Sequence, residues 1–155
     1  MKSTVALALS LGRPSLPEPR DRSDQLGTGK SIRSDIYARP DVYELEYEGD
    51  SNQDARFFAR LLARVRPRRV LELACRSGRV TFPLAAALPI AEIVGVESSI
   101  DMLAKAATAR DAAEPSVRDR VSLVKGDMRD WPGTGDAFDE VIIACCSVSH
   151  FAHPR

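Results

Sequence analysis

The amino-acid sequence predicts an α/β fold built around a parallel β-sheet. Short apolar runs recur along the chain, and each is too brief for a helix but long enough for a buried strand. Segments with helical periodicity or helix-capping residues separate these runs. Strands that alternate with helices pair side by side through right-handed crossovers, so this alternation favours a parallel sheet. The four predicted strands lie at 70–73, 92–96, 121–125 and 138–146.

Composition places the chain among globular domains with an additional polar segment. Of 155 residues, 44% are hydrophobic and 28% are charged, which fits one domain. Lys and Arg together number 22, as do Asp and Glu, so the charge gives no support to a nucleic acid partner. No apolar run approaches the roughly 20 residues that a membrane span needs. The three cysteines do not form a disulfide framework, which indicates a reducing, cytoplasmic location.

The chain is organised around the first predicted strand and the turn that follows it. Val70, Leu71 and Leu73 form this strand, and Glu72 interrupts their apolar run. A buried carboxylate without a partner is costly, so we expect loop amides or a cationic ligand group to contact Glu72. Beyond the turn, residues 79–88 resume as a helix whose free backbone amides face the carboxyl end of the strand. This arrangement outlines a ligand site.

Two further helices carry capping signals. Ser51 with Asp54 predicts one helix start by capping-box spacing, and Ser98 with Asp101 predicts another. The earlier helix should pack on the sheet next to the first strand. The expected buried residues are Phe58, Leu61, Leu62 and Val65 in the earlier helix, and Ile100, Leu103, Ala104 and Ala107 in the later one.

Residues 1–34 are interpreted as a disordered leader. Between 12 and 34 the chain consists largely of Pro, Arg, Asp, Ser and Gly, with too few apolar residues to offset the entropy of ordering. The segment 36–47 is either a short helix or an extended arm, because aromatic and charged residues alternate there. The predicted domain therefore covers residues 35–155.

Residues 70–80 resemble the first motif of the class I S-adenosylmethionine-dependent methyltransferases, an acid followed by three alternating glycines. Glu72 is the acid, Ala74 and Arg76 occupy the first two glycine positions, and Gly78 is the third. A dinucleotide-binding Gly-x-Gly-x-x-Gly is the alternative, but it needs small residues where two arginines stand. The resemblance implies a Rossmann-like parallel sheet of the class I methyltransferase type, with strand order 3-2-1-4 and S-adenosylmethionine as the cofactor.

The resemblance also implies which residues contact the cofactor. Glu97, about 25 residues after Glu72, ends the second strand where an acid accepts hydrogen bonds from ribose hydroxyls. Asp127 follows the third strand, where the acid takes the adenine amino group and Met128 packs nearby. A Gly-Asp turn at Asp127 and a solvated strand end at Glu97 are the structural alternatives. The predicted cofactor-binding residues are Glu72, Ala74, Cys75, Gly78, Glu97, Ser98, Met102, Asp127, Met128 and Cys145.

Arg76 is the main departure from the motif. If this position needs a positive φ, a side chain there costs roughly 1–2 kcal/mol relative to glycine. Two alternatives remain open for the guanidinium. It either pairs with the carboxylate of the methionine moiety or points to solvent.

Four residues near the carboxyl terminus have the chemistry of metal ligands or proton acceptors. Cys145, Cys146, His150 and His153 are of the residue types that bind zinc. Because cysteine is also an ordinary core residue, no metal site is predicted. His150 is a candidate general base in the segment after the fourth strand, but no catalytic residue is assigned.

The resemblance predicts methyl transfer from S-adenosylmethionine to an unidentified acceptor, a reaction in which positioning outweighs side-chain chemistry. The chain ends at Arg155, so we expect an amino-terminal part of such a domain whose fourth strand is an exposed apolar edge. Such an edge favours pairing with another chain, including a second copy. A non-catalytic cofactor-binding or association module is the alternative function. A nicotinamide-dependent oxidoreductase is a third.

Overall fold

The computed structural model describes residues 4–7, 39–47, 53–131, 133, 135, 137–144 and 147. The strands within this part are β1 (Thr4–Leu7), β2 (Arg69–Leu73), β3 (Glu92–Glu97), β4 (Val121–Lys125) and β5 (Glu140–Ile143). The helices are α1 (Pro40–Tyr47), α2 (Gln53–Val65), α3 (Thr81–Ala87), α4 (Ile100–Ala112) and α5 (Pro115–Arg118). None of these helices has the length and apolar character needed to cross a membrane.

The strands form one parallel sheet in the order β1-β5-β2-β3-β4. In the centre, Leu71 of β2 lies between Val94 of β3 and Val141 of β5. The α/β class and the strand order 3-2-1-4 are confirmed, because the four predicted strands are β2, β3, β4 and β5. The winding reverses between β2 and β5, and in such sheets ligands bind at the carboxyl ends of the strands near this reversal.

β5 is not an edge strand, which corrects the expectation of an exposed fourth strand. β1 pairs with it in parallel, from Thr4 opposite Glu140 to Leu7 opposite Ile143. Residues 4–7 therefore differ from the expected disordered leader, while the rest of 1–34 lies outside the described residues. The physical reason is that β1 supplies the backbone hydrogen bonds that this side of β5 would otherwise leave unmade. Pairing of β5 with another chain requires displacement of β1.

Apolar side chains pack on both faces of the sheet, because successive strand residues point to opposite sides. One face carries Val70 and Ile93, which form a buried cluster with Phe58 and Leu62 of α2 and Leu84 of α3. The other face buries Leu71, Val94 and Val96, against which pack Leu73, Val124, Trp131, Phe138 and Val141. The core therefore holds the strand ends rigidly on both sides.

The buried face of α2 matches the prediction only in part. Phe58 and Leu62 are buried as expected, together with Ala55. Val65, the last residue of the helix, is 56% exposed, because the chain leaves the helix there and turns toward Pro67, which is buried. Ser51 of the predicted capping box lies outside the described residues.

The start and the buried face of α4 differ from the prediction by one residue. Ser99, not Ser98, is the N-cap, and its hydroxyl accepts a hydrogen bond from the Met102 N–H at 3.3 Å. Met102 and Ala106 are buried, whereas Ile100 is 63% exposed. Each residue turns the helix by about 100°. Moving the cap by one residue therefore turns a different set of side chains toward the sheet.

The Arg120 guanidinium caps the carboxyl end of α3. Its Nη1 donates to the carbonyl oxygens of Leu88 at 2.7 Å and Ala91 at 2.8 Å, and its Nη2 donates to that of Ala85 at 2.6 Å. A cation at a helix carboxyl terminus also interacts favourably with the helix dipole. Arg120 thus joins the end of α3, the turn before β3 and the start of β4.

Arg120→Ala should lower the free energy of unfolding by about 2 kcal/mol, because it leaves partly buried carbonyl groups without their charged donor. Urea denaturation followed by circular dichroism measures this loss. Arg118→Ala is the control, since the side chain of Arg118 in α5 is 42% exposed and pairs with the neighbouring Asp119. It should change the stability by less than about 0.5 kcal/mol. Equal losses in the two variants would contradict the capping role.

Candidate functional site

A cleft opens at the carboxyl ends of the strands, beside the reversal of the winding. Its volume of about 250 Å³ suits a small-molecule ligand that stays partly exposed. Four separate segments supply its walls, each following a different strand. The lining residues are Ala74 and Arg76 after β2; Glu97, Ser98 and Ser99 at the end of β3; Gly126, Asp127, Met128 and Arg129 after β4; and Ser147 after β5.

The turn after β2 has left-handed backbone at all three positions where the motif has glycine. The φ angles are 58° at Ala74, 54° at Arg76 and 84° at Gly78. At Gly78 a Cβ atom would lie 2.2 Å from the Phe82 ring, so only glycine fits there. Ala74 and Arg76 adopt the glycine conformation despite their side chains, at a cost of roughly 1–2 kcal/mol each. The turn therefore keeps the shape of the motif while two of its glycines are replaced.

Ala74→Gly should raise the free energy of unfolding by about 1 kcal/mol, because glycine removes the strain of the left-handed backbone. Thermal denaturation measures the gain. Ala104→Gly is the matched control, since Ala104 is exposed within α4 and glycine there should lower stability by about 1 kcal/mol. Losses of similar size at both positions would show that Ala74 is not strained.

Glu97, at the end of β3, accepts hydrogen bonds from the turn after β2 and from the start of α4. Its Oε2 accepts a hydrogen bond from the Arg76 N–H at 3.0 Å. Its Oε1 accepts from the Ser99 N–H at 2.8 Å and from the Ser98 hydroxyl at 3.3 Å. The residue is 6% exposed, which rules out the alternative of a solvated strand end. Glu97 thus fixes the turn after β2 to the start of α4, with its carboxylate in the cleft wall.

The Arg76 side chain does not point to solvent, since the residue is 6% exposed. Its Nη1 donates to the Tyr43 hydroxyl at 2.8 Å and its Nη2 to the Ser147 hydroxyl at 3.3 Å. The guanidinium also lies over the Tyr43 ring, 5.0 Å from the centroid. Sequence reasoning did not assign Ser147, because its contact depends on where the chain turns after β5.

Asp127 and Met128 lie in the cleft wall after β4, and Arg129 lies with them. Oδ1 of Asp127 accepts from the Arg129 N–H at 3.0 Å and from its Nε at 2.9 Å, and Oδ2 accepts from Nη2. The hydrogen bond that the Arg129 side chain donates to Asp127 raises the pKa of Arg129. The turn-forming role considered for Asp127 is therefore present. Arg129 was missed because nothing in the residue spacing signals that it folds back on Asp127.

Four of the predicted cofactor-binding residues do not line this cleft. Met102 is fully buried in α4, and Gly78 faces Phe82. Cys75 packs against β3 at Gly95, where an added Cβ would lie 2.8 Å from its Sγ. Burial raises the pKa of the Cys75 thiol and so disfavours its thiolate form. Glu72, the fourth, lies behind the turn, and Cys145 lies outside the described residues.

Glu72 is 1% exposed and is paired within the protein. Its Oε2 accepts a hydrogen bond from the Thr81 hydroxyl at 2.6 Å, so a side chain of α3 contacts it rather than the loop amide or ligand cation expected from the sequence. Burial raises the pKa of Glu72 to about 7, although Thr81, Arg79 and Arg76 each oppose that rise. Glu72 therefore supports the turn from behind.

The candidate zinc ligands and proton acceptor remain untested by the structure. Cys145, Cys146, His150 and His153 all lie outside the described residues. Across 39–47, 53–131 and the described positions beyond, no group of three or more His, Cys, Asp or Glu side chains is arranged to hold a metal ion.

Comparison with known protein families shows to which family the chain belongs. A family model described as "Methyltransferase domain" matches residues 70–155, which is more than half of the sequence and includes every strand of the cleft. The chain belongs to this methyltransferase family. The match begins at β2 and covers the turn at Ala74 to Gly78, so the altered glycine positions have not removed the family signature.

Two curated methyltransferases are similar in sequence. Trans-aconitate 2-methyltransferase of Streptomyces avermitilis is 37% identical over 91 residues, which is 56% of this chain and 33% of that protein. Malonyl-[acyl-carrier protein] O-methyltransferase of Legionella pneumophila is 34% identical over 102 residues, which is 65% of this chain and 34% of that protein. The chain thus spans about a third of the length of these relatives.

Solved structures share the fold of this chain. The glycopeptide N-methyltransferase MtfA, crystallised in complex with S-adenosyl-L-methionine, is 34% identical with a TM-score of 0.58, covering 67% of this chain and 44% of MtfA. DesVI of Streptomyces venezuelae is 26% identical with a TM-score of 0.54, covering 77% of this chain and 46% of DesVI. These likenesses confirm the Rossmann-like fold.

Proposed function

We propose that the cleft binds S-adenosylmethionine and that the domain transfers its methyl group to a nucleophilic acceptor. The observation that carries this proposal is the position of Glu97, a carboxylate held by two backbone amides at the cleft wall. Membership of the methyltransferase family supports it, as does the S-adenosyl-L-methionine complex of the similar protein MtfA.

The strand order gives the cofactor a direction along the cleft. The segments that line the cleft follow β4, β3, β2 and β5, which are neighbours in this order across the sheet. In the proposed orientation the adenine lies at Asp127 and Met128, the ribose at Glu97, and the methionine moiety at Ala74, Arg76 and Ser147. The ligand then runs along the carboxyl ends of the strands, as expected for this class of sheet.

The residues of the cleft fit such a ligand. A carboxylate offers about four acceptor positions, and three donors contact Glu97 in the structure. One position remains for a ribose hydroxyl, and rotation of the Ser98 hydroxyl, the longest of the three contacts, frees a second. At the other end, Asp127 must release part of its pairing with Arg129 to accept an adenine amino group. That pair is partly solvent-exposed, so its loss costs little.

The chain's own contribution to catalysis is to position the reactants. When bound, S-adenosylmethionine supplies a methyl group on a positively charged sulfur, which a nucleophile displaces. The carboxylates in the described lining of the cleft, Glu97 and Asp127, already accept hydrogen bonds from the protein. Neither is therefore assigned as the base that deprotonates the acceptor. The described residues of the cleft therefore contribute to the reaction rate by positioning: the turn after β2 holds the sulfonium in a fixed place.

The methyl acceptor cannot be inferred from the similar proteins. The similar proteins are named for trans-aconitate, malonyl-[acyl-carrier protein] and a glycopeptide, which are chemically different molecules. A cytoplasmic location is part of the proposal, supported by the buried free thiol of Cys75, which fits a reducing compartment.

Calorimetric titration with S-adenosylmethionine and S-adenosylhomocysteine tests the proposed function. We expect binding at micromolar strength, equivalent to about 8 kcal/mol. A folded sample, identified by a cooperative thermal transition, that releases no heat with either ligand would overturn the proposal.

A further inference from the structure

The helix α2 carries a basic surface that the proposed function does not use. Residues 55–71 contain six arginines and no aspartate or glutamate, although the chain as a whole has no net charge. Arg56, Arg60 and Arg64 follow one another at intervals of four residues in α2, and all three are exposed. Residues at this spacing lie on one face of a helix, about 6 Å apart along its axis. These three residues form the arginine stripe.

The charges of the arginine stripe are not neutralised within the protein. Across residues 53–131 and the other described positions, none of its three guanidinium groups takes part in a hydrogen bond or an ion pair. Other arginines do, since Arg110 pairs with Asp111 and Arg118 with Asp119. Like charges four residues apart destabilise a helix slightly, so the stripe does not serve the stability of α2. Its charges are available to an anionic partner.

An aromatic ring lies within the same face. Phe57 precedes Arg60 and Arg64 by three and seven residues, a spacing that places it beside them on the helix. It is 51% exposed. Its ring packs edge-on against that of Phe58, with 5.5 Å between the centroids and an interplanar angle of 75°. Because Phe58 is buried in the core, this contact orients the exposed ring.

The opposite face of α2 argues against a membrane as the partner. Phe58 and Leu62 pack in the buried cluster with Val70 and Ile93 of the sheet, so the helix cannot turn this apolar face toward lipid. An acidic protein surface accounts for the charge alone and leaves the exposed Phe57 ring unexplained.

A single-stranded nucleic acid matches both features of the surface. Its phosphates repeat along the strand, as the guanidinium groups repeat along α2. Arginine suits this partner better than lysine does, because the planar guanidinium donates two hydrogen bonds to one phosphate. The unpaired bases of a single strand stack on exposed aromatic rings, which is the contact that Phe57 offers.

We propose that the arginine stripe and Phe57 form a binding surface for single-stranded nucleic acid. The guanidinium groups contact successive phosphates, and the Phe57 ring stacks on a base. None of these four residues lines the cleft. The surface is therefore separate from the proposed cofactor site, and its binding does not require the cofactor.

Fluorescence anisotropy of a labelled oligo(dT) of about 15 nucleotides, a length within the range of known single-strand sites, tests the proposal. We expect the wild type to bind in the micromolar range at low salt. Three phosphate contacts should give a slope of about −2 for the logarithm of the binding constant against the logarithm of the salt concentration. Oligo(U) of the same length should bind with similar affinity, because neither arginine nor phenylalanine reads the 2′-hydroxyl that distinguishes RNA from DNA.

Two double variants that lose the same net charge separate local recognition from general attraction. Arg60→Gln/Arg64→Gln removes two members of the stripe and should weaken oligo(dT) binding by about tenfold or more at low salt, with a salt slope smaller by about 1.4. Arg110→Gln/Arg118→Gln removes two arginines of α4 and α5 and should change the affinity by less than about twofold. Glutamine is a good helix former, so both proteins should melt cooperatively when followed by circular dichroism.

Substitution of Phe57 tests the stacking contact. Phe57→Leu keeps an apolar side chain but removes the aromatic face, so it should weaken oligo(dT) binding by about fivefold or more. Phe57→Tyr keeps the ring and should bind as the wild type does. A duplex of the same length, whose bases are already stacked on one another, should bind the wild type and Phe57→Leu with equal affinity.

Four results would each overturn the proposal. The first is a folded wild type that does not bind oligo(dT) at low salt. The second is an equal loss of affinity in the two double variants, which would show that only the net charge matters. The third is wild-type binding by Phe57→Leu. The fourth is displacement of oligo(dT) by poly-glutamate at an equal concentration of charge, which would show that the surface recognises negative charge without stacking. All four are independent of the proposed methyl transfer, since no cofactor is present in the experiment.

Discussion

Replacing Glu97 by alanine should weaken S-adenosylhomocysteine binding by at least about a hundredfold. The substitution removes the proposed acceptor of the ribose hydroxyls, and hydrogen bonds to a charged group contribute roughly 1.5–3 kcal/mol each. It also releases the Arg76 and Ser99 amides, which the carboxylate holds at 3.0 and 2.8 Å. Calorimetric titration of the variant beside the wild type measures the loss.

Further substitutions show whether the loss comes from the ligand contact. Glu97→Gln keeps the size of the side chain and one acceptor oxygen, so it should bind with intermediate affinity. Ser98→Ala removes only the hydroxyl that competes for Oε1 and should stay within about threefold of the wild type. A Glu97→Ala protein that melts cooperatively and still binds at wild-type strength would show that the ribose does not contact this residue.

Glu72 should make the protein less stable as the pH rises from about 4.5 to 7. Its pKa is about 7 in the folded protein, against 4.5 for an unperturbed glutamate. Between these values the folded state binds more protons than the unfolded state, so the free energy of unfolding falls with increasing pH. The full effect is on the order of 3 kcal/mol and is complete above pH 7. Urea denaturation at a series of pH values measures it.

Glu72→Gln should remove this dependence, because the amide is neutral at every pH and fills nearly the same volume. The variant should therefore gain stability relative to the wild type as the pH rises, and the gain should level off near neutrality. Glu92→Gln is the control, since Glu92 starts β3 with a side chain that is 68% exposed. Parallel stability curves for the wild type and Glu72→Gln would show that burial does not perturb this carboxyl.

Much of the fold could be predicted because the relevant signals are local. The β3 and β4 strands are apolar runs flanked by polar residues, and their bounds differ little from the prediction. The turn after β2 was identified from the acid and Gly78 alone, although Ala74 and Arg76 depart from the motif. Its φ angles are left-handed at all three positions where the motif has glycine.

Other features escaped prediction because they depend on residues far apart in sequence. Contact between Arg76 and Tyr43 spans 33 residues, and contact between Arg76 and Ser147 spans 71. The pairing of β1 with β5 joins the first residues of the chain to residues near its end. Neither the Arg76 contacts nor the pairing of β1 with β5 produces a periodic pattern in the sequence. Composition and residue spacing therefore predict neither of them.

Sequence by itself determined the α/β class, the strand order expected from the resemblance, and the acids at the strand ends. Hydrophobic periodicity and a short motif suffice for these, because they act over a few neighbouring residues. Only the tertiary structure decided which of those acids reach the cleft. Glu97 and Asp127 lie in its wall, whereas Glu72 is buried against Thr81. The difference arises because strand pairing and helix packing bring distant segments together and enclose one carboxylate in the core while leaving two at the cleft.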